Sequence, residues 1–539
     1  MLRRLLIVSL FVFHGLGIYP SFADQKKSDI ASLIPVLETY VEQYRELYET
    51  PGVAIVIVKD GQVYTRSFGA LSLNDKTPVD ADTVFQIASV TKNFTATLMV
   101  RLAEKGLLSL DDKVTKYLPD FELSKKEVTD DLRLRDLLCH CTGLEDFAGD
   151  TLWHGRLPQE EVLTHMRHLP FVGKFRESYA YSNIMVGIAG LIIEKVMGRN
   201  IHHVMREEFF DPLGMTYSSV GFEGVVPKAS LIDRMVRFFS GKNSYKIAKP
   251  HDLYDGKAKE LAFNDEFYLF PGSSGVNITA NDMGKWLLFH LNNYKVGNET
   301  FISPEHIADM RRSYVDGSKE LVGQQFPKER VTKVDLGLGW FMYDFGVDSK
   351  RIHVLEQMGG ICGARALMAI VPSENLGIAV LANLGGMRAS LFPEALVQKF
   401  FDIYLGIEGM DWAKKIHDKF VQVKNKVKLQ LDAMRLQNPQ PHRPLKVYVG
   451  RYTNKLYGDV KIILEGDKDL FIFYRGYKIP IKHLNGDRFV CRGRELSEGY
   501  SFDDECIVEF GIEGNVDKSY GVMLSLFDEG ENPAFYRQD

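Results

Sequence analysis

Ser89 stands three residues before Lys92 in the stretch QIASVTKNFTATL, Gln86 to Leu98. Positions i and i+3 of a helix are neighbours on one face, so a helix opening near Ser89 brings the lysine one turn behind the hydroxyl. An ammonium there stabilises the serine alkoxide, and a neutral amine takes its proton; either activates the serine as a nucleophile. A helix N-terminus adds partial positive charge and free N–H groups. The spacing alone says little, because composition yields roughly two Ser-x-x-Lys pairs by chance in such a chain. This sequence holds the one pair, and Phe85, Ile87 and Ala88 make its approach apolar.

A serine nucleophile also needs a proton carrier and an oxyanion site. The stretch FRESYAYSNIMVGIAGLI offers Tyr181-Ser182-Asn183. A tyrosine shuttles a proton if nearby cations lower its pKa, and an asparagine amide can hold both a substrate carbonyl and the lysine. The plainer reading of the triplet is a turn into a buried helix, Ile184 to Ile193. A similar triplet, Tyr452-Thr453-Asn454, is assigned no role. Cys139-His140-Cys141 with His165 and His168 raises the question of a metal, but Cys-x-Cys is not a usual zinc spacing. No metal or cofactor is therefore assigned. The chain has no G-x-S-x-G elbow, no H-E-x-x-H and no phosphate-binding loop.

The elements that must carry these residues follow from periodicity. Ile34, Leu37, Val41 and Leu47 give a helix from Ile30 to about Tyr48. PGVAIVIVKDGQVYTRSFGAL gives two β-rich runs around Asp60-Gly61, a hairpin signal. Phe94, Leu98 and Leu102 space a helix from Ser89 to Lys105, with Gly106 as its left-handed cap. SGKNSYKIAKPHDLYDGKAKE reads as an extended surface loop. RALMAIVPSENLGIAVLANL reads as a second hairpin around Pro372 to Asn375, followed by a helix from Ala389 to Tyr404. Strands open and close this region and helices fill its middle, which predicts an α+β fold: an antiparallel sheet built from both ends, flanked by helices, with an all-α insert. Trp412, Ile416, Phe420, Val423, Val427, Leu431 and Met434 predict a further helix. An amphipathic helix lying on its own domain is preferred to a partner-binding one. NPQPHRP reads as a linker, and the short strands from Leu445 onward as a small all-β domain.

In these segments the chain resembles the serine β-lactamase and penicillin-binding-protein superfamily, nearest to class C β-lactamases and their esterase and D-aminopeptidase relatives. FQIASVTKNFTATL matches the nucleophile helix, LRLRDLLCHCTGL is similar to IRHLLTHTSGL, and FRESYAYSN matches the Tyr-x-Asn element. PLGMTYSS, PGSSGVNITANDMGKWL, LGLGW and MGGICGARALMAIVPSENLGIAVLANL follow in order, so the resemblance spans roughly residues 30 to 405. It implies Ser89 as the acylated nucleophile, Lys92 as its tuner, Tyr181 as general base or acid, and Asn183 as the group positioning Lys92 and substrate. His140 falls where the family has a structural histidine. The third motif, Lys-Thr-Gly or His-Ser/Thr-Gly in the family, is here Gln357-Met358-Gly359. Gly359 and Gly360 keep the strand edge, and the backbone N–H groups of Ser89 and Gly360 would form the oxyanion hole. A Lys or His at Gln357 would depress the tyrosine pKa and help hold a substrate carboxylate; their loss favours neutral esters or amides. The C-terminal part is similar to the lipocalin-like β-barrel appended to many exported serine hydrolases.

The N-terminus, MLRRLLIVSLFVFHGLGIYPSFADQKK, has Arg3 and Arg4, a short apolar run and Ser21-Phe22-Ala23, the pattern of a secretory signal peptide cut after Ala23. The expected organisation is a signal peptide (1–23), a β-lactamase-like serine hydrolase domain (24–407), a helical linker (408–444) and a C-terminal barrel (445–539). The expected location is periplasmic or extracellular, with no transmembrane segment once the signal is removed. Net charge is −5 over 539 residues with no clustered basic excess, which excludes a nucleic-acid partner. The expected partners are a small-molecule or short-peptide substrate, with cell-wall peptides among the candidates. Of five cysteines, Cys491 and Cys506 lie in one small region and could pair, Cys139 and Cys141 are too close in sequence to pair comfortably with each other, and the odd count leaves at least one free thiol. A catalytically impaired binding or scaffold protein is the alternative to the enzyme.

Overall fold

A computed structural model describes residues 29–154, 156–226, 246–254, 256–386, 391–436, 440–492, 505–512, 518–524 and 534–538. The expected signal peptide lies outside these residues, as do residues 240–245, which begin the predicted surface loop. No helix among the described residues is long and apolar enough to cross a membrane.

The chain opens with helix α1 (Ile30–Arg45), then strands β1 (Gly52–Lys59) and β2 (Gln62–Gly69). Asp60 and Gly61 take positive φ, +49° and +82°, the two-residue turn whose twist matches that of the flanking strands. Strands β3 (Val315–Asp316), β4 (Val334–Gly337), β5 (Trp340–Val347), β6 (Lys350–Ile361), β7 (Ala364–Val371) and β8 (Leu376–Ala382) complete an antiparallel sheet in the order β3-β4-β5-β6-β7-β8-β1-β2. Residues far apart in sequence thus meet at the β8–β1 seam, Val53 opposite Ala382 and Lys59 opposite Leu376. β1, β7 and β8 are apolar and buried almost throughout, as strands covered on both faces must be.

Between the two groups of strands run the helices that carry the chemistry. These are α2 (Thr91–Glu104), α3 (Asp150–His154), α4 (Asn183–Met197), α5 (Pro271–Ser274) and α6 (Ala280–Leu291). After the sheet come α7 (Phe392–Tyr404) and α8 (Trp412–Leu436). Phe94, Leu98 and Leu102 of α2 are wholly buried, and Phe94 stacks on Trp286 of α6 at 4.0 Å. Asn93 Oδ1 accepts from Trp286 Nε1 and from His290 Nε2, each at 3.0 Å. This clamp lies one residue beyond Lys92 and fixes the rotation of α2. Gly190 on α4 and Gly272 on α5 let the two helices touch: a Cβ on either would stand about 3 Å from the other's Cα.

Two expectations are corrected. The 240–260 segment is not all loop: His251–Tyr254 and Lys257–Glu260 form an antiparallel hairpin. It is pinned because His251 is buried, its Nε2 accepting from Leu73 N at 3.1 Å and its Nδ1 donating to Lys249 O at 2.8 Å. Among the described side chains, those of helix α8 pack most closely on its own domain at its start. Trp412 and Ala413 are buried and Trp412 Nε1 donates to Asp402 Oδ2 at 2.7 Å, whereas Val421, Val423 and Leu429 are exposed. Residues two apart, such as Val421 and Val423, cannot share one face of a helix.

The C-terminal strands β9 (Gly450–Asn454), β10 (Gly458–Glu465), β11 (Asp469–Tyr474), β12 (Tyr477–Asn485), β13 (Arg488–Arg492), β14 (Glu505–Gly511), β15 (Gly521–Leu524) and β16 (Ala534–Arg537) close into a barrel. Closure pairs Tyr452 and Thr453 of β9 with Arg537 and Tyr536 of β16, which removes the exposed sheet edge. Tyr452-Thr453-Asn454 is thus part of a barrel strand. Cys491 and Cys506 stand directly opposite each other on β13 and β14, as pairing would need, but no disulfide joins them. Tyr477 donates to Glu266 Oε1 at 3.2 Å and Arg475 faces Glu161 at 3.6 Å, seating the barrel against the helical insert.

Candidate active site

Ser89 sits in a single 3₁₀ turn, Ala88–Val90, that feeds directly into α2. Ala88 holds φ +47°, a left-handed conformation costing a non-glycine residue roughly 1–2 kcal/mol. The turn is held there by its neighbours: Ile87 N donates to Val276 O at 3.2 Å, Val276 N to Thr91 Oγ1 at 3.0 Å, and Thr95 Oγ1 to Gly272 O at 2.5 Å. The serine is 9% exposed and the lysine 1%.

Lys92 Nζ lies 2.9 Å from Ser89 Oγ. It also donates to Asn183 Oδ1 at 2.6 Å and to Ser273 O at 3.1 Å. Burial pushes this amine far below the usual 10.5, against the opposing pull of the Asp150 carboxylate. Tyr181 shares the pocket, its ring centroid 5.0 Å from Lys92 Nζ. Burial raises its phenol well above the ordinary value, partly offset by a hydrogen bond from the Ser89 side chain and by the charge of Arg365. Burial thus favours the neutral phenol near pH 7.

The two sequence segments that resembled known motifs are zipped together. Ala180 N donates to His140 O at 3.0 Å, Arg176 N to Cys141 O at 2.7 Å, and Ser182 N to His140 Nδ1 at 3.2 Å. His140, at φ +56°, lays its ring 4.4 Å from that of Tyr181. Burial and the charge of Lys92 lower its pKa to about 3, so the imidazole is neutral and its Nδ1 is the acceptor. The thiols of Cys139 and Cys141 lie 3.1 Å apart beneath it. His165 lies elsewhere, its Nδ1 against Leu456 O of the barrel. No cluster of three or more metal-ligating side chains occurs among the described residues. Ser182 caps α4 by accepting from Met185 N at 3.2 Å, so Asn183 projects from the first helical position.

β6 brings the third segment alongside. Gln357 is buried and its Nε2 donates to Ser89 O at 3.0 Å. Met358, on the alternate face, places its sulfur against Gln325 Nε2. Gly359 faces the nucleophile turn so closely that a Cβ would stand 2.3 Å from Ile87 O and 2.7 Å from Ser89 N. Gly360 pairs with Arg365 on β7. All seven residues singled out in the sequence thus converge, with Gln357 turned onto the nucleophile's backbone. Sequence reasoning missed Asp150 and the Ser273 carbonyl. Asp150 Oδ2 accepts from Asn183 Nδ2 at 2.5 Å; an acidic residue in EDFAGD carries no spacing that would have marked it.

A family model described as Beta-lactamase matches residues 37–397, which include every residue of this site and stop short of the barrel. The Unguisins hydrolase ungD of Aspergillus violaceofuscus is 25% identical over 485 residues, covering 84% of this chain and 82% of that protein. Protein flp of Staphylococcus aureus is 24% identical over 357 residues, 65% of this chain and 62% of that protein. Among solved structures, the octameric penicillin-binding protein homologue from Pyrococcus abyssi superposes with a TM-score of 0.57 at 22% identity, over 93% of this chain and 99% of that one. SurE superposes at 0.53 with 18% identity, over 94% of this chain and all of that one. Both are likenesses of fold.

Proposed function

The chain belongs to the beta-lactamase family, and from that premise we propose that it is a serine hydrolase acting on an ester or amide through an acyl-enzyme. The observation that carries this reading is the buried Lys92 amine 2.9 Å from Ser89 Oγ. Ser89 attacks the substrate carbonyl while Lys92, whose burial favours the neutral amine, takes the hydroxyl proton. The neutral Tyr181 phenol is suited to pass a proton on to the leaving group. Asn183 holds Lys92 and offers its amide to the substrate, and the N–H groups of Ser89 and Gly360 receive the oxyanion. Water then releases the acyl group.

The third segment bears on substrate. Gln357 is spent on Ser89 O and Met358 on Gln325, so neither supplies a cation or hydroxyl for a carboxylate. Neutral esters, peptides or D-amino-acid amides are favoured over β-lactams, with cell-wall peptides one candidate source. The relative named as a hydrolase supports turnover. The N-terminal pattern of Arg3, Arg4 and the following apolar run supports export to the periplasm or medium. The same uncharged third segment favours the second reading, a binding protein that has lost turnover.

A fluorophosphonate or p-nitrophenyl ester, followed by intact mass, decides between them. The enzyme gives one adduct that disappears in Ser89→Ala. Absence of an adduct with every acylating probe sinks the enzyme.

A further inference from the structure

Asp150 begins α3, between the segments that carry the nucleophile and Tyr181. It is 8% exposed. One carboxylate oxygen accepts from Asn183 Nδ2 at 2.5 Å. The other, Oδ1, is buried with no hydrogen-bond partner among the described residues. A carboxylate retained only to tie two helices together would be expected to satisfy both oxygens, so the orphan needs an account.

The geometry of the bonded oxygen shows what the carboxylate does to the Asn183 amide. Its two ends differ chemically, NH₂ donating and C=O accepting, and nothing in its shape distinguishes them. A carboxylate only accepts, so it takes the NH₂ end and leaves the C=O end for Lys92, as seen at 2.6 Å. Without it, Asn183 is free to turn its NH₂ toward the lysine, donor against donor. The charge matters as well, because buried charges interact more strongly than exposed ones. Asp150 opposes the fall that burial imposes on Lys92, and Lys92 opposes the rise that burial imposes on Asp150. The other groups facing the pair are the neutral His140 from the preceding loop, the Tyr181 phenol and the Ser273 carbonyl on α5. Of the further charges, Asp146 accepts from Tyr181 N, and Arg365 on β7 acts on Tyr181 and is held by Glu394.

We propose that Asp150 is a positioning residue of the acylation site, orienting the Asn183 amide toward Lys92 and holding the charge balance that governs how readily Lys92 accepts the Ser89 proton. This rests on the acyl-enzyme reading above.

The test uses the full chain with Asp150→Asn, Asp150→Ser and Asp150→Ala. The rate of Ser89 labelling by a fluorophosphonate is followed against pH by intact mass. The Lys92 titration is read independently by NMR of ¹³Cε-lysine protein, assigned with Lys92→Met. Asp150→Asn keeps an acceptor for Asn183 but removes the charge that favours ammonium. The Lys92 titration and the acid limb of labelling then move to lower pH by about one unit, about tenfold in rate on the limb. Asp150→Ser moves both in the same direction. Asp150→Ala, which also frees the amide, lowers the plateau rate about tenfold, the scale of one lost charge-assisted hydrogen bond. A limb and a Lys92 titration unmoved in both Asp150→Asn and Asp150→Ser overturn the proposal, as a purely structural aspartate changes neither. If the wild-type chain takes no label, the acyl-enzyme reading fails while the Lys92 titration still decides the electrostatic role of Asp150.

Discussion

The corner around Ser89 and Lys92 and the strand edge from Gln357 to Gly360 face each other, yet they are built on opposite principles. At the corner the chemistry is carried mostly by side chains: Lys92 alone reaches Ser89 Oγ and Asn183 Oδ1, besides the Ser273 carbonyl. At the strand edge the backbone contributes most, and the side chains either are absent, as at Gly359 and Gly360, or turn away onto protein partners, as at Gln357 and Met358. A function carried by side chains is lost when they change, whereas one carried by backbone N–H groups survives as long as the strand stays in place. This is why a third motif stripped of its cation and hydroxyl is compatible with an intact oxyanion site.

The comparison can be broken at several points. Removing the amine has the largest effect: Lys92→Met should slow acylation of Ser89 by roughly 10²–10⁴-fold, the usual range for a lost general base. Stopped-flow ester hydrolysis reads this, and a loss below tenfold assigns the proton to another group. Next is Gly359→Ala, whose Cβ would stand 2.3 Å from Ile87 O. It should push β6 off the nucleophile turn and cost about 10²-fold in kcat, the scale of a displaced oxyanion donor. An unchanged kcat would mean the strand edge is not part of the site.

Restoring the missing chemistry sharpens the contrast. Gln357→His with Met358→Thr should raise nitrocefin turnover about tenfold, one charge-assisted contact to the carboxylate; unchanged turnover refutes the account of the altered motif. The smallest effect belongs to Gln357→Leu. It removes the side-chain donor to Ser89 O, which keeps the Thr91 N–H, and should cost about 1 kcal/mol in denaturant-measured stability, with only a few-fold change in kcat. A large kcat loss at unchanged stability would make Gln357 a substrate contact. The pH profile bears on the corner as a whole. Because burial lowers the Lys92 pKa, the protonated, unreactive lysine is lost as pH rises through a value far below 10.5. Acylation should climb there and level off above it. A climb near 10.5 would mean a solvated lysine.

Much of this was legible from local pattern. The Asp60-Gly61 hairpin, the α2 stripe of Phe94, Leu98 and Leu102, and the strand pair around Pro372 to Asn375 follow from turn chemistry and periodicity, which act between near neighbours. Helix α8 was legible in extent but not in packing, because which of its apolar residues meet a partner depends on where the domain surface ends. The hairpin from His251 to Glu260 was not legible, because what holds it is Leu73, nearly 180 residues earlier.

By itself the sequence determined which residues have chemistry to offer, their order along the chain and the helices and strands that carry them. Only the tertiary structure decided what they do together. The separations of 91 positions from Lys92 to Asn183, and of 268 from Ser89 to Gln357, are closed by packing and leave no trace in spacing. Burial, a property of the whole fold, lowers the pKa of the Lys92 amine and raises those of the Tyr181 phenol and the Asp150 carboxyl.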